Sequence, residues 1–180
     1  MNVRFAEHHD IPRIAEIYGK CLAEWDLESD SKNTAEQAHI YNDRLKWFES
    51  REDRHKIVIF CDGDKVTSFG ALDRFGDRSC FSFVAEISVY VDPDERGKGY
   101  GKALVERLIK LAKSIGFYKL TVTLFSNNQA GEKLFESFGF TPVGTYKKLG
   151  YLHGKLIDAT IYSLDLPFDE ETVKNYYDSI

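Results

Sequence analysis

The sequence is short of the residues that build covalent frameworks. Its three cysteines, Cys21, Cys61 and Cys80, stand far apart in a chain of 180 residues. An odd number at such spacing suits neither a disulfide framework nor a metal motif, and it favours a reducing compartment, so a cytoplasmic protein is expected. The adjacent histidines of Glu7-His8-His9-Asp10 diverge on most backbones and make no zinc motif. Long apolar runs are also lacking. Nothing approaches the length needed to cross a bilayer, and the opening MNVRFAEHHD has no apolar secretory core. Neither a membrane partner nor a signal peptide is expected. Positive charge is scarce, with 24 Lys and Arg against 29 Asp and Glu and a formal net charge of −5. That balance argues against broad nucleic-acid binding. There is no Gly-x-Ser-x-Gly elbow, which removes the best-marked route to a serine nucleophile. Repeats, low-complexity tracts and clear linkers are absent too, so residues 1–180 read as one domain.

What is present is apolar and aromatic. Hydrophobic residues make up 43% of the chain, with 13 Phe and 10 Tyr, enough for a substantial core. NVRFA reads as an opening strand, and Asp10 as the cap of a helix carrying Ile11, Ile14, Tyr18, Cys21, Leu22 and Trp25 at helical spacing. A second helix starts near Thr34, whose spacing to Gln37 is that of a capping box. The period then shortens. HKIVIFC, VTSFGALDRF and CFSFVAEISVYV read as three consecutive strands, the first two joined by an Asp-Gly turn. Leu104, Leu108, Leu111 and Ile115 form one apolar stripe of a helix ended by Gly116. KLTVTLF then reads as a buried strand parallel to the one before that helix. A short helix ending at Gly139, a closing antiparallel pair and a short C-terminal helix complete the pattern. The expected architecture is a three-layer α/β or α+β domain, with a mixed sheet of roughly seven strands and helices on both faces. A dinucleotide fold is a poor match, because three strands precede the glycine loop instead of one.

That loop, Arg96-Gly97-Lys98-Gly99-Tyr100-Gly101, joins the third of these strands to the striped helix. Glycines allow backbone shapes barred to other residues and let a ligand approach the chain closely. Unpaired N–H groups at a helix start favour phosphate, and Arg96 and Lys98 add positive charge. The alternative is a solvated turn whose glycines only permit the bend. The loop lacks the Gly-Lys-Ser/Thr ending of a Walker A motif.

EISVYVDPDERGKGYGKAL resembles the acetyl-coenzyme A segment of the GNAT superfamily of N-acetyltransferases, with Arg96, Gly99 and Gly101 at the marked positions of its loop. The fuller resemblance is to the phosphinothricin acetyltransferase-like branch. It runs in order through IAEIY, EISVYV, RGKGYG, Asn128, LFESFGF and GYLHGKLIDA, over roughly residues 3 to 168. The resemblance implies the acyl-CoA N-acyltransferase fold, acetyl-CoA as cofactor, a small-molecule amine as substrate and, as often in this branch, a homodimer. It implies a strand that splays from its neighbour through a bulge. The backbone from Ile87 to Val91, including Val89, Tyr90 and Val91, would then meet the pantetheine arm, and the amides from Arg96 to Gly101 would hold the pyrophosphate. Asn128 would lie beside the arm, cap a helix, or both.

The resemblance also implies the chemistry. Glu86 matches the glutamate that leads the SVYV strand and is the candidate base, either direct or through water; on an ordinary sheet it would be a surface carboxylate. The N–H of Val89 is the candidate donor to the thioester oxygen. The tyrosine that many members place after the asparagine is Phe135 here, which leaves no evident acid. Water, an unassisted thiolate of intrinsic pKa about 8.5, Tyr90 or Tyr151 are the remaining choices. At the substrate end, Gly150, His153, Gly154 and Asp158 match a G-x-x-H-G-x-x-x-D pattern. His153 either contacts an acidic group of the acceptor or holds a turn, and Leu156 replaces the family tryptophan. Trp25 and Glu28 belong to the loop that roofs the acceptor pocket in the family, although Trp25 can equally be the last apolar residue of the first helix. The resemblance implies acetyl transfer from acetyl-CoA to the primary amine of a small molecule, favouring an amino acid or analogue, by direct attack with Glu86 as base. A non-catalytic acyl-CoA sensor and an interaction module that keeps the fold are the alternatives.

Overall fold

A computed structural model describes residues 2–25, 34–152 and 154–179. Strands β1 (Asn2–Phe5), β2 (Ile57–Asp62), β3 (Lys65–Arg74), β4 (Val84–Val91), β5 (Lys119–Phe125), β6 (Thr141–Leu152) and β7 (Lys155–Asp165) form one mixed sheet. Their order is β1-β2-β3-β4-β5-β7-β6, and all neighbours are antiparallel except β4 and β5. The helices are α1 (Ile11–Trp25), α2 (Thr34–Glu49), α3 (Tyr100–Ile115), α4 (Gln129–Glu136) and α5 (Glu170–Asp178). The crossover through α3 between two parallel strands is the arrangement expected from the sequence.

Two apolar cores flank the sheet. On one face Leu104, Leu108 and Ala112 of α3 pack with Ile87, Leu120 and Phe135. On the other, Ile14, Ile17 and Cys21 of α1 and Trp47 and Phe48 of α2 pack on Ile59, Phe69 and Tyr90. The contact between α3 and β3 is close at Gly70, where a Cβ would lie 2.7 Å from Leu108 Cδ1 and 2.8 Å from the Ser88 carbonyl oxygen.

Two local expectations are revised. The run CFSFVAEISVYV is not all strand: Ser79–Phe81 form a 3₁₀ turn, and β4 begins at Val84. Asp10 stands just before α1 as expected, but its carboxylate turns back, away from the first turn of that helix. It ends a 3₁₀ turn over His8–Asp10, is buried, and takes both Arg4 guanidinium nitrogens, at 2.7 and 2.8 Å, and the Glu7 N–H at 2.8 Å.

Asp92 fastens the end of β4. Its carboxylate is fully buried, bonded to Arg13 and to Lys20 of α1 at 3.3 Å, and it also accepts the Asp94 N–H at 3.1 Å. Burial alone would raise its pKa; the donors outweigh that and hold it below the usual carboxylate value. The residues that follow, including the glycine loop, are thereby anchored to α1.

Candidate active site

The site begins where β4 and β5 part. They pair only over Val84↔Lys119, Ala85↔Leu120 and Glu86↔Thr121, although β4 runs on to Val91 and β5 to Phe125. Meanwhile the β3–β4 register is unbroken from Ser68↔Val91 to Arg74↔Ala85. The strands therefore separate without a shift in that ladder, unlike the bulge that the family resemblance implies. The Asp92 N–H donates to the Thr67 carbonyl at 3.0 Å, so Asp92, Tyr90 and Ser88 turn their backbone groups toward β3. By alternation, those of Val89 and Val91 face the gap. An edge of main-chain donors and acceptors is thus opened inside the sheet instead of at its rim.

Two hollows meet along this gap. The first, of about 400 Å³, runs from Val89 and Val91 past Arg96, Gly97, Gly99 and Gly101 to Asn128, Leu134 and Phe135. Gly97 and Gly99 have φ of +78° and +87°, and a Cβ on either would meet nothing within 4 Å. Their requirement is left-handed backbone plus open space above it. Gly99 is the N-cap of α3. The first helical bond there is Ala103 N–H to the Gly99 carbonyl, 3.1 Å, so the N–H groups of Tyr100, Gly101 and Lys102 precede it and are available to an anion. This cradle fits a diphosphate.

The charges of the loop are disposed differently from the plain reading of the sequence. The Arg96 N–H turns back to the Pro93 carbonyl at 3.4 Å, and its guanidinium, which lines the hollow, pairs with Glu24 at 2.6 Å. Lys98 pairs with Glu95 at 2.5 Å and does not line the hollow. The Tyr100 ring enters the core, 6.3 Å from that of Phe60. Lys102, which sequence reasoning did not single out, does line the hollow.

Asn128 stands where both hollows meet. Its side-chain oxygen accepts the Gly131 N–H at 2.9 Å and caps α4. The capping reading of this residue is thus observed, and the same residue also lines both hollows. Gly131 must lack a Cβ for this cap, since one would lie 2.7 Å from Asn128 Nδ2.

The second hollow, of about 340 Å³, lies on the α1/α2 face and is lined by Tyr18, Arg44, Trp47, Asp73, Glu86, Ser88, Tyr90 and Thr123. Glu86, Ser88 and Tyr90 alternate along β4 and so share this face. Glu86 Oε1 accepts the Thr123 hydroxyl at 3.1 Å across the parted strands. Burial raises its pKa, the Thr123 bond lowers it, and Asp73 raises it; the net direction is upward. Asp73 is opposite Glu86 in the ladder. It accepts from Trp47 Nε1 at 2.8 Å, Arg51 at 2.6 Å and the Ser88 hydroxyl at 2.8 Å. Tyr90 is stacked on Phe69 with centroids 4.9 Å apart and lies edge-on to Tyr18 at 5.1 Å. Burial pushes its hydroxyl well above the usual phenol range, which makes it a poor proton donor at neutral pH. Tyr151 is exposed and lines neither hollow. Phe135 is buried against Phe140 and lines the first hollow without a polar group.

Glu28 and His153 lie outside the described residues, and Trp25 is described only as the last residue of α1. Asp158, in the pattern around His153, bonds Lys147 Nζ and the Lys148 N–H, each at 2.9 Å. The residues that sequence reasoning missed, Arg44, Trp47, Asp73, Ser88 and Thr123, come from different elements. None of them is marked by a motif in the sequence. Among the described residues no cluster of three His, Cys, Asp or Glu is placed to hold a metal ion, and no helix is long and apolar enough to cross a membrane.

A mixed sheet whose single parallel pair parts above a glycine-lined helix start defines the acyl-CoA N-acyltransferase class. Residues 14–140 match the Acetyltransferase (GNAT) family model, and the chain belongs to that family. It is 32% identical over 178 residues to L-amino acid N-acyltransferase MnaT of Escherichia coli, covering 96% of each chain. It is 29% identical over 174 residues to the L-methionine sulfoximine/L-methionine sulfone acetyltransferase of Salmonella typhimurium, covering 92% of this chain and 95% of that one. Its fold superposes with a TM-score of 0.80 on yncA of Salmonella typhimurium, solved with its cofactor acetyl-CoA, at 28% identity over 94% of this chain and 95% of the other. More distant relatives bear the name phosphinothricin N-acetyltransferase. Family membership supports acetyl-CoA-dependent acyl transfer to an amine.

Proposed function

We propose that this protein transfers an acetyl group from acetyl-CoA to the primary amine of an amino acid or a close analogue, within the phosphinothricin acetyltransferase-like branch. The observation that carries this reading is the meeting of the two hollows at Val89, Tyr90 and Asn128. One hollow offers free amides suited to a diphosphate; the other places a carboxylate beside the same stretch of β4. The names of the relatives, which include an amino-acid acyltransferase and a methionine sulfone acetyltransferase, favour a small amino acid as acceptor.

The residues of the first hollow fit the coenzyme. Gly97 and Gly99 leave room, the N–H groups of Tyr100, Gly101 and Lys102 supply donors to phosphate, and the freed edge of Val89 and Val91 supplies partners for an amide-bearing arm. Acetyl-CoA supplies, when bound, a thioester whose C–S bond is exchanged for a C–N bond to the acceptor. Glu86 takes a proton from the acceptor ammonium, directly or through one water, and frees the lone pair. Its raised pKa brings its basicity closer to that task. The Val89 N–H donates toward the oxygen on which negative charge grows. Phe135 has no proton to give and the buried Tyr90 hydroxyl is a weak acid, so neither protonates the leaving sulfur; water carries off the second proton of the nitrogen and returns one to the sulfur. Holding both reactants in one gap removes much of the entropic barrier.

A second reading, an acyl-CoA sensor without turnover, draws on Phe135, where no hydroxyl is present to protonate the leaving sulfur. Calorimetric titration with acetyl-CoA, paired with thiol release over a panel of amines, separates the readings. Binding with amine-dependent release supports the transferase. Binding without release supports the sensor, and no binding leaves only an interaction module.

A further inference from the structure

Arg44 is a cation without a carboxylate partner among the described residues, placed in the acceptor hollow. Its guanidinium carbon lies 4.2 Å from the Tyr18 ring centroid and 4.9 Å from that of Trp47. Its Nε is buried with no hydrogen-bond partner. Nearby arginines are committed: Arg51 to Asp73 and the His55 carbonyl, at 2.6 Å each, and Arg96 to Glu24 at 2.6 Å. Arg54 also has an unpartnered Nε, but it is sandwiched by Phe83 and Phe117, away from the acceptor hollow. Aromatic faces hold a guanidinium plane in place without using its N–H donors. A buried donor left without a partner is costly unless a ligand completes it.

We propose that Arg44 receives the carboxylate of an α-amino-acid acceptor. The hollow then has two poles: Glu86 on the sheet faces the ammonium, and Arg44 on α2 takes the carboxylate. The planar fork matches a carboxylate in two parallel hydrogen bonds. Amides and decarboxylated amines lack that partner, leave the guanidinium unpaired and are discriminated against. The inference rests on the transferase reading and narrows its substrate to acceptors with a free carboxylate.

The test uses the full chain and a panel of L-amino acids, including L-methionine sulfone, each beside its carboxamide. In the wild-type protein kcat/KM favours the acid. Arg44→Gln lowers kcat/KM for the acid by about 10- to 100-fold and changes it for the carboxamide by less than about three-fold, while acetyl-CoA affinity is unchanged. Arg44→Lys recovers part of the preference and carries the comparison if Arg44→Gln fails to fold. Equal losses on acid and carboxamide, or no preference in the wild type, overturn the proposal. If no amine elicits thiol release, the transferase reading fails separately. Titration of the same panel into coenzyme A-loaded protein then decides: acid binding that is lost in Arg44→Gln upholds the assignment, and no binding of any acid to the wild type overturns it.

Discussion

Thr123 and Glu86 bridge the parted strands: the threonine hydroxyl of β5 donates to the glutamate Oε1 of β4 at 3.1 Å. This bond lies just beyond the last ladder pair, Glu86↔Thr121, so it spans the mouth of the gap. It favours the ionised carboxylate, against the burial and the Asp73 charge that disfavour it.

Removing the bridge should therefore move the pH profile. With Glu86 as base, the acid limb of kcat/KM in the wild type has its midpoint above the ordinary glutamate value. In Thr123→Val the stabilisation of the charged form is gone, and the limb shifts to higher pH. An acid limb that Thr123→Val leaves in place, or moves to lower pH, contradicts the assignment.

The same raised pKa has a stability consequence. A carboxyl whose folded pKa lies above its unfolded value stabilises the fold below the unfolded pKa, and that contribution is lost as pH rises through the folded pKa. At neutral pH the ionised Glu86 thus works against folding. Glu86→Gln should raise Tm at pH 7, by about a few degrees at most, and the gain should vanish in acid. Thermal melts at pH 7 and pH 4 check both halves.

Gly99 tests the phosphate cradle. An alanine there has free space for its Cβ but must hold φ of +87°. The expected cost is about 1 kcal/mol of stability, with a loss of acetyl-CoA affinity as the helix start shifts. Chemical denaturation and calorimetry measure the two effects. A destabilised variant that binds coenzyme as tightly as the wild type would remove this helix start from the site.

Asp92 tests the anchor of β4. Asp92→Asn leaves Arg13 and Lys20 without their fully buried partner and should cost about 2–4 kcal/mol. Because the folded pKa of Asp92 is depressed, its stabilisation is complete above the unfolded carboxylate pKa and is lost as pH falls through the folded value. The gap between wild type and variant should therefore close in acid. Denaturation midpoints as a function of pH provide the measurement.

Much of this site was legible in the sequence because it is local. The glycines and the helix start they precede lie along one strand–loop–helix passage and follow from the residues themselves, whereas Glu86, Val89 and Asn128 were singled out only through the family resemblance. The second hollow was not legible, because it depends on register and helix docking. Nothing in the sequence states that Asp73 lies opposite Glu86, since the connection between β3 and β4 includes a 3₁₀ turn over Ser79–Phe81. Nor does it state that α2 turns Arg44 and Trp47 toward Tyr18 and β4. The loop charges were misleading for a similar reason: Lys98 and Arg96 look free on paper, yet Glu95 and Glu24 hold them in the fold.

The most direct measurement is coenzyme A release by wild type and Glu86→Gln at saturating acetyl-CoA, with an L-amino-acid acceptor. Release that requires the amine and falls by about 10²- to 10⁴-fold in the variant, with acetyl-CoA affinity within about two-fold, is the result expected of a base held in the β4–β5 gap. Equal turnover by the two proteins, or no release with any amine, contradicts it.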